Sequence, residues 1–124
     1  MVLKTYRSVV LAFGLAATGT AVLFTSPTFA ASSPARAIIG NTVHGTEDDG
    51  EFYDYYAPNG SVTSRLVGGD TTHGRWTIEN GNICLDFPDD TKACYAVVLS
   101  GSSVTMTDVS SGATFHNQLI HGAR

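Results

Sequence analysis

The chain offers eleven carboxylates, four histidines and two cysteines with which to do chemistry. Six of the acids, Glu47, Asp48, Asp49, Asp70, Asp89 and Asp90, stand in short segments rich in glycine, proline and other turn formers. Crowded carboxylates of this kind attract a cation or the basic surface of another protein. Asp and Gly also favour turns for purely local reasons, since Asp bonds its own backbone and Gly accepts positive φ. The histidines are His44, His73, His116 and His121, with no pair at i, i+2 or i, i+4. The spacing therefore repeats no zinc-ligand pattern. A metal shell would need His44 and His73 to meet across the fold, completed by Asp70 or Glu47. Glu47-Asp48-Asp49-Gly50 is too short and irregular for a calcium loop of the EF-hand kind. No serine lies in a Gly-x-Ser-x-Gly nucleophile elbow. Asp54 and Asp108 are the carboxylates whose positions within strands could turn them inward, as a buried acid would require. The residue types assign no catalytic group, metal or cofactor, and the expectation is a non-enzyme.

The cysteines are more informative, because the elements around them fix where they point. Two antiparallel strands folding about Pro88-Asp89-Asp90 put Cys84 opposite Cys94 and Asp86 opposite Lys92, so a disulfide and an opposite-charge pair share one face. An Asn80-Gly81 turn of type I′, in which both residues take positive φ, pairs Trp76 with Leu85 and Arg75 with Asp86. Arg75, Asp86 and Lys92 then form a charge row on the disulfide face, with Trp76, Leu85 and Ala93 opposite.

Beyond residue 31 the chain alternates apolar and polar residues in short runs, cut by turn signals about every ten residues, with no apolar stripe at helical spacing. Eight strands are expected, near 36–44, 51–57, 61–67, 74–80, 82–87, 92–100, 103–109 and 113–121. A two-residue Asn59-Gly60 turn pairs Ala57 with Val62, Tyr55 with Ser64 and Tyr53 with Leu66. Gly101-Ser102 pairs Leu99 with Val104, and Ser111-Gly112 brings Leu119 beside Val104. The interior expected from these registers includes Tyr53, Tyr55, Ala57, Val62, Leu66, Trp76, Ile78, Ile83, Leu85, Phe87, Ala93, Tyr95, Val97, Leu99, Val104, Met106, Phe115 and Leu119. Eight consecutive antiparallel strands leave open edges unless the first pairs with the last. The expected fold is thus all-β, an eight-stranded up-and-down antiparallel barrel, with a two-layer sandwich of the same hairpins as the alternative.

Lys4 and Arg7 precede an apolar run of 16 residues, Val9 to Phe24, and then Pro27 and Thr28-Phe29-Ala30. This is the pattern of a signal peptide cleaved after Ala30, and the run is short of the roughly 20 residues of a spanning helix. Residues 31–124 would remain as one domain without a membrane anchor, periplasmic or secreted, an address that suits a disulfide. That part keeps five cations against eleven acids, a net charge of −6. Nucleic acid is not an expected partner, because phosphate binding needs a cationic patch. A basic protein is, and a monomer is the expected state.

The runs Gly40-Asn41-Thr42-Val43-His44-Gly45, Tyr55-Tyr56-Ala57-Pro58-Asn59-Gly60, Gly74-Arg75-Trp76 and Gly81-Asn82-Ile83-Cys84, with Cys94-Tyr95, resemble small exported proteobacterial proteins of unknown function. Gly74-Arg75-Trp76 is also similar to the Gly-x-Trp signature of lipocalins, though on the fourth strand instead of the first. Exported bacterial inhibitors of lysozyme and proteases often use similar disulfide-bearing barrels, a likeness of architecture that implies no activity. A meander sends its loops at 45–50, 68–73, 88–91 and 110–112 to one end. Two functions follow as expectations. One is a non-catalytic binding or inhibitor module acting through the acidic rim. The other is a carrier of a small apolar ligand, its cavity lined by Tyr53, Tyr55, Trp76 and Tyr95. An envelope protein with no small ligand is the remaining alternative.

Overall fold

The computed structural model describes residues 33–124, so the expected signal peptide lies outside the described residues. A single 3-10 turn, Pro34–Ile38, leads into eight strands: β1 (Asn41–Glu47), β2 (Gly50–Tyr56), β3 (Ser61–Leu66), β4 (Thr71–Glu79), β5 (Asn82–Asp86), β6 (Ala93–Ser100), β7 (Ser103–Asp108) and β8 (Thr114–His121). Each strand pairs with the next, and β1 pairs with β8, closing an antiparallel barrel. Closure leaves no exposed sheet edge. Among the described residues no helix is long and apolar enough to cross a membrane.

Several turns set the registers read from the sequence. Asn80 and Gly81 both take positive φ, 52° and 79°, and place Trp76 against Leu85. Gly101, at φ 59°, sets Leu99 against Val104. Pro88 and Asp89 (φ 67°) occupy the central positions of a turn closed by Asp90 N–H donating to Phe87 O at 3.2 Å. This is the type II pattern, with Pro first and a residue tolerant of positive φ second. It brings Cys84 opposite Cys94, and the two are joined in a disulfide with their Cα atoms 4.0 Å apart.

Four expectations are corrected. The segment expected to begin the first strand at residue 36 is instead the 3-10 turn. Pro34 opens it, and its Ala35 and Ile38 are fully buried in the core cluster. It packs against β1, β5 and β6, and the Ser33 hydroxyl donates to Gly81 O. Since Gly81 lies in a tight turn, the 3-10 turn seals the tight-turn end of the barrel.

The second correction is the β2–β3 register. Tyr56, not Ala57, faces Val62, and Phe52, not Tyr53, faces Leu66. Pro58-Asn59-Gly60 forms a three-residue loop, with Ala57 N–H donating to Ser61 O at 2.8 Å, Gly60 N–H to Ala57 O at 3.1 Å, and Gly60 at φ 93°. In a two-residue turn Pro58 would have to donate the closing hydrogen bond to Ser61, and it has no N–H. A shift of one residue reverses every side chain of a strand, so Phe52, Asp54 and Tyr56 point inward while Tyr53 and Tyr55 point out.

Third, the β7–β8 pairing is offset by two residues from expectation, and Val104 meets Asn117. An even offset keeps the sides, so Leu119 still packs on the core. Fourth, in the charge row Arg75 stands opposite Asp86 as expected, but Lys92 pairs with Glu79 at 2.5 Å. Trp76 is half-buried, packed against the core, and its indole N–H donates to Ala57 O at 2.8 Å.

Candidate functional site

The meander leaves the end opposite the 3-10 turn open, ringed by the loops β1–β2, β3–β4, β5–β6 and β7–β8. Below the ring a cavity of about 210 Å³ runs into the barrel, between Phe52 and Tyr56 of β2, Leu85 of β5, Tyr95 of β6, Met106 of β7, and Phe115 and Asn117 of β8. Above it a cleft of about 440 Å³ lies between the β1–β2, β3–β4 and β5–β6 loops. Glu47, Phe52, Asp54, Ser64, Phe87 and Asp90 line both spaces, so mouth and lumen are continuous.

Asp54 is the polar group with most at stake here. The β2 register turns it inward, opposite Ser64, and its Oδ1 is buried with no hydrogen-bond partner. Burial raises its pKa from 3.8 to about 6, the Ser64 hydroxyl draws it part of the way back, and the negative charge of Glu47 raises it further. Desolvation penalises the charged form of any acid. Glu47, which ends β1 on the inward alternation, is raised in the same direction by burial and by its neighbours Asp49 and Asp48. Tyr56 is fully buried and its phenol is held well above 10, chiefly by desolvation and next by Asp54. Tyr95 is raised by burial and by Asp108.

Two glycines make room for Phe52, Asn117 and Phe87 beside the lumen. A Cβ on Gly45 would stand 2.1 Å from Asn117 Oδ1 and 2.9 Å from the Phe52 ring. One on Gly74 would stand 2.6 Å both from Asp86 O and from the Phe87 ring. Both glycines allow a neighbouring side chain to lie flat against a strand at the wall of the lumen.

Of the six acids expected at the rim, Glu47, Asp49, Asp70 and Asp90 line the open end. Asp48 and Asp89 belong to the same loops without lining either space, and Asp89 carries the positive φ of its turn. Of the four aromatics expected around a cavity, Tyr95 lines it and the other three do not. Trp76 sits by the β2–β3 turn at the sealed end. Tyr53 lies on the outer face, stacked on His44 with ring centroids 4.4 Å apart and beneath the Arg65 guanidinium at 5.1 Å. Tyr55, on the same outward alternation, is the cross-strand partner of Thr42 and Thr63. Phe52, Asp54 and Tyr56 take the inward places.

His44 and His73 stay apart. His44 Nε2 meets Glu51 Oε1 at 2.7 Å on β1–β2, while His73 meets Thr63 at 3.2 Å on β3–β4. Among the described residues, Glu79, Cys84 and Cys94 are grouped closely enough to hold a metal, but the two sulfurs are bonded to each other and offer no thiolate. The open end thus holds carboxylates above a lumen of mixed aromatic and polar walls, an arrangement suited to holding positive charge. No family model, curated protein or solved structure matches the chain, so the geometry alone carries the functional reading.

Proposed function

We propose that the protein is an exported, non-catalytic binding module that takes a cationic partner at the open end of its barrel. A basic protein is the first partner class, which makes an inhibitor its most specific form. The observation that carries this reading is the convergence of Glu47, Asp49, Asp70 and Asp90 on one mouth, with Asp54 beneath them. Like charges gathered at a concave, low-dielectric opening focus the field and speed the encounter with a cationic surface. Export as a periplasmic or secreted protein is supported by the Lys4/Arg7 and Ala30 pattern in the sequence. The disulfide points independently to an oxidising compartment.

The test is surface-plasmon binding of a basic protein such as lysozyme at about 20 mM and about 300 mM salt, where screening lengths differ several-fold. Saturable binding that weakens with salt, and that weakens further in an Asp49→Asn/Asp70→Asn/Asp90→Asn variant, is the expected result. Binding indifferent to both would refute the rim as the contact surface.

A second reading, a carrier of a small ligand, is favoured by the lumen itself. Its walls would be Phe52, Tyr56 and Tyr95, in place of Tyr53, Tyr55 and Trp76. Kinship with small exported proteobacterial proteins and likeness to lipocalins or bacterial inhibitors remain proposals beside it.

A further inference from the structure

The lumen is selective in size and in charge. At about 210 Å³ it falls below the roughly 300–1,000 Å³ of pockets that take drug-sized ligands, so it admits a slender group. Its walls set the aromatic side chains Phe52, Tyr95 and Phe115 beside the polar groups Asp54, Ser64 and Asn117. Its carboxyl, Asp54, presents a buried oxygen that no protein group satisfies. A buried acceptor left unpaired bears its full desolvation penalty, larger when charged. A ligand able to donate to that oxygen recovers this penalty on binding.

The chemistry of the walls narrows the choice. A guanidinium is a wide planar fork of five donors that needs several acceptors. An ammonium is a compact point charge with three donors on a flexible stem, so a narrow lumen with one buried unpaired carboxylate oxygen can hold it, while the rings attract either cation. A hard metal ion takes about six oxygen ligands, and Asp54 belongs to no metal-holding group among the described residues.

We propose that the barrel lumen binds a primary ammonium carried on an apolar stem, with the Asp54 carboxylate as its counter-ion. The proposal rests on the reading of the open end as the binding end and names what enters it. The ammonium belongs either to a free small amine or to a lysine side chain of a partner. The groups facing Asp54 from neighbouring elements are Glu47 on β1, Tyr56 on β2, Ser64 on β3, Tyr95 on β6 and Asp90 in the β5–β6 turn. None is cationic, so among the described residues the lumen holds no positive charge to compete with the ligand's. Glu47 and Asp90 stand nearer the mouth and hold the entry negative.

Calorimetric titration of the full, disulfide-bonded chain with benzylammonium, benzyl alcohol and Nα-acetyl-lysine amide tests this. Benzylammonium should bind saturably at pH 7.5, with benzyl alcohol at least tenfold weaker. Asp54→Asn, with folding checked by Trp76 emission, should weaken benzylammonium at least tenfold. Glu79→Gln, an exposed acid that lines neither space, should leave it unchanged. In the native chain affinity should fall about tenfold from pH 7.5 to pH 5, as the carboxyl takes up its proton. Binding of the lysine amide as well identifies a partner's lysine as an occupant; binding of benzylammonium alone identifies a free amine. Equal binding of the alcohol, no binding of either amine, or an unchanged Asp54→Asn variant would overturn the proposal. Failure here, with salt-sensitive binding of a basic protein intact, removes the lumen ligand and leaves the rim reading standing.

Discussion

Replacing Asp54 by Asn should make the protein more stable at neutral pH and should change the pH dependence of its stability. The acid's pKa is about 6 in the folded chain and 3.8 at its ordinary value. At about 1.36 kcal/mol per tenfold change in proton affinity, this amounts to about 3 kcal/mol for the fully titrated group. Between pH 4 and pH 6 the native state holds this proton and the unfolded chain has lost it. Stability therefore falls as pH rises through that window and levels off above it. Glu47, also raised, contributes in the same direction. Glu79 is lowered by its bonds with Lys92 and Thr77; its small contribution runs oppositely and is lost as pH falls. The substituted amide carries no charge, so the stability gained by Asp54→Asn should be near zero at pH 4 and about 1–3 kcal/mol at pH 7. Water at the mouth accounts for the lower figure. Any constant cost of fitting an amide shifts both ends equally and leaves the difference intact. Urea unfolding of both proteins at half-unit pH steps, with the disulfide intact, reads this from the midpoints. Parallel curves for the two proteins would show that Asp54 is not a buried titrating acid, and the argument would fail with them.

Other substitutions probe the frame around the lumen. Cys84→Ala/Cys94→Ala should lower stability by about 2–3 kcal/mol, the chain-entropy value for a loop of this length, read by urea unfolding with and without reductant. Gly74→Ala should cost about 1–3 kcal/mol, because its Cβ meets fixed backbone at Asp86 as well as the Phe87 ring. It should also displace the Phe87 resonances in an NMR spectrum. Gly60→Ala, at φ 93°, should cost about 1 kcal/mol through backbone strain while leaving benzylammonium affinity unchanged, since the β2–β3 turn lies at the sealed end.

Most of the barrel was legible because its turns leave little choice. Asn80-Gly81, Gly101-Ser102 and Pro88-Asp89 each demand a particular backbone, and each sets a register that carries Trp76, Leu85, Val97 and Cys94 to the expected sides. The β2 strand was not legible from its pattern. Phe52 and Tyr56 alternate with Tyr53 and Tyr55, so either face is aromatic and periodicity cannot choose between them. The deciding signal was Pro58, whose missing N–H forbids the two-residue turn. That single offset left the inward place of Asp54 open, because it decides whether Asp54 or its neighbours Tyr53 and Tyr55 face the lumen. The 3-10 turn was missed for another reason: Ala35, Ile38 and Ile39 suit a strand equally well, and burial against three strands decides their conformation. That alternate loops gather at one end was legible from topology alone, but not which of their acids face the opening, since Asp48 and Asp89 line neither space.

The Asp54 carboxyl looks into the barrel with no partner for one of its oxygens. Carbon-13 NMR of the Asp54 carboxyl, titrated from pH 3 to pH 8 with and without saturating benzylammonium, observes it directly. The expected midpoint is near 6 in the free protein, displaced to lower pH when the amine is bound, because a neighbouring cation favours the ionised acid. An ordinary midpoint near 4, unmoved by the amine, would contradict the account.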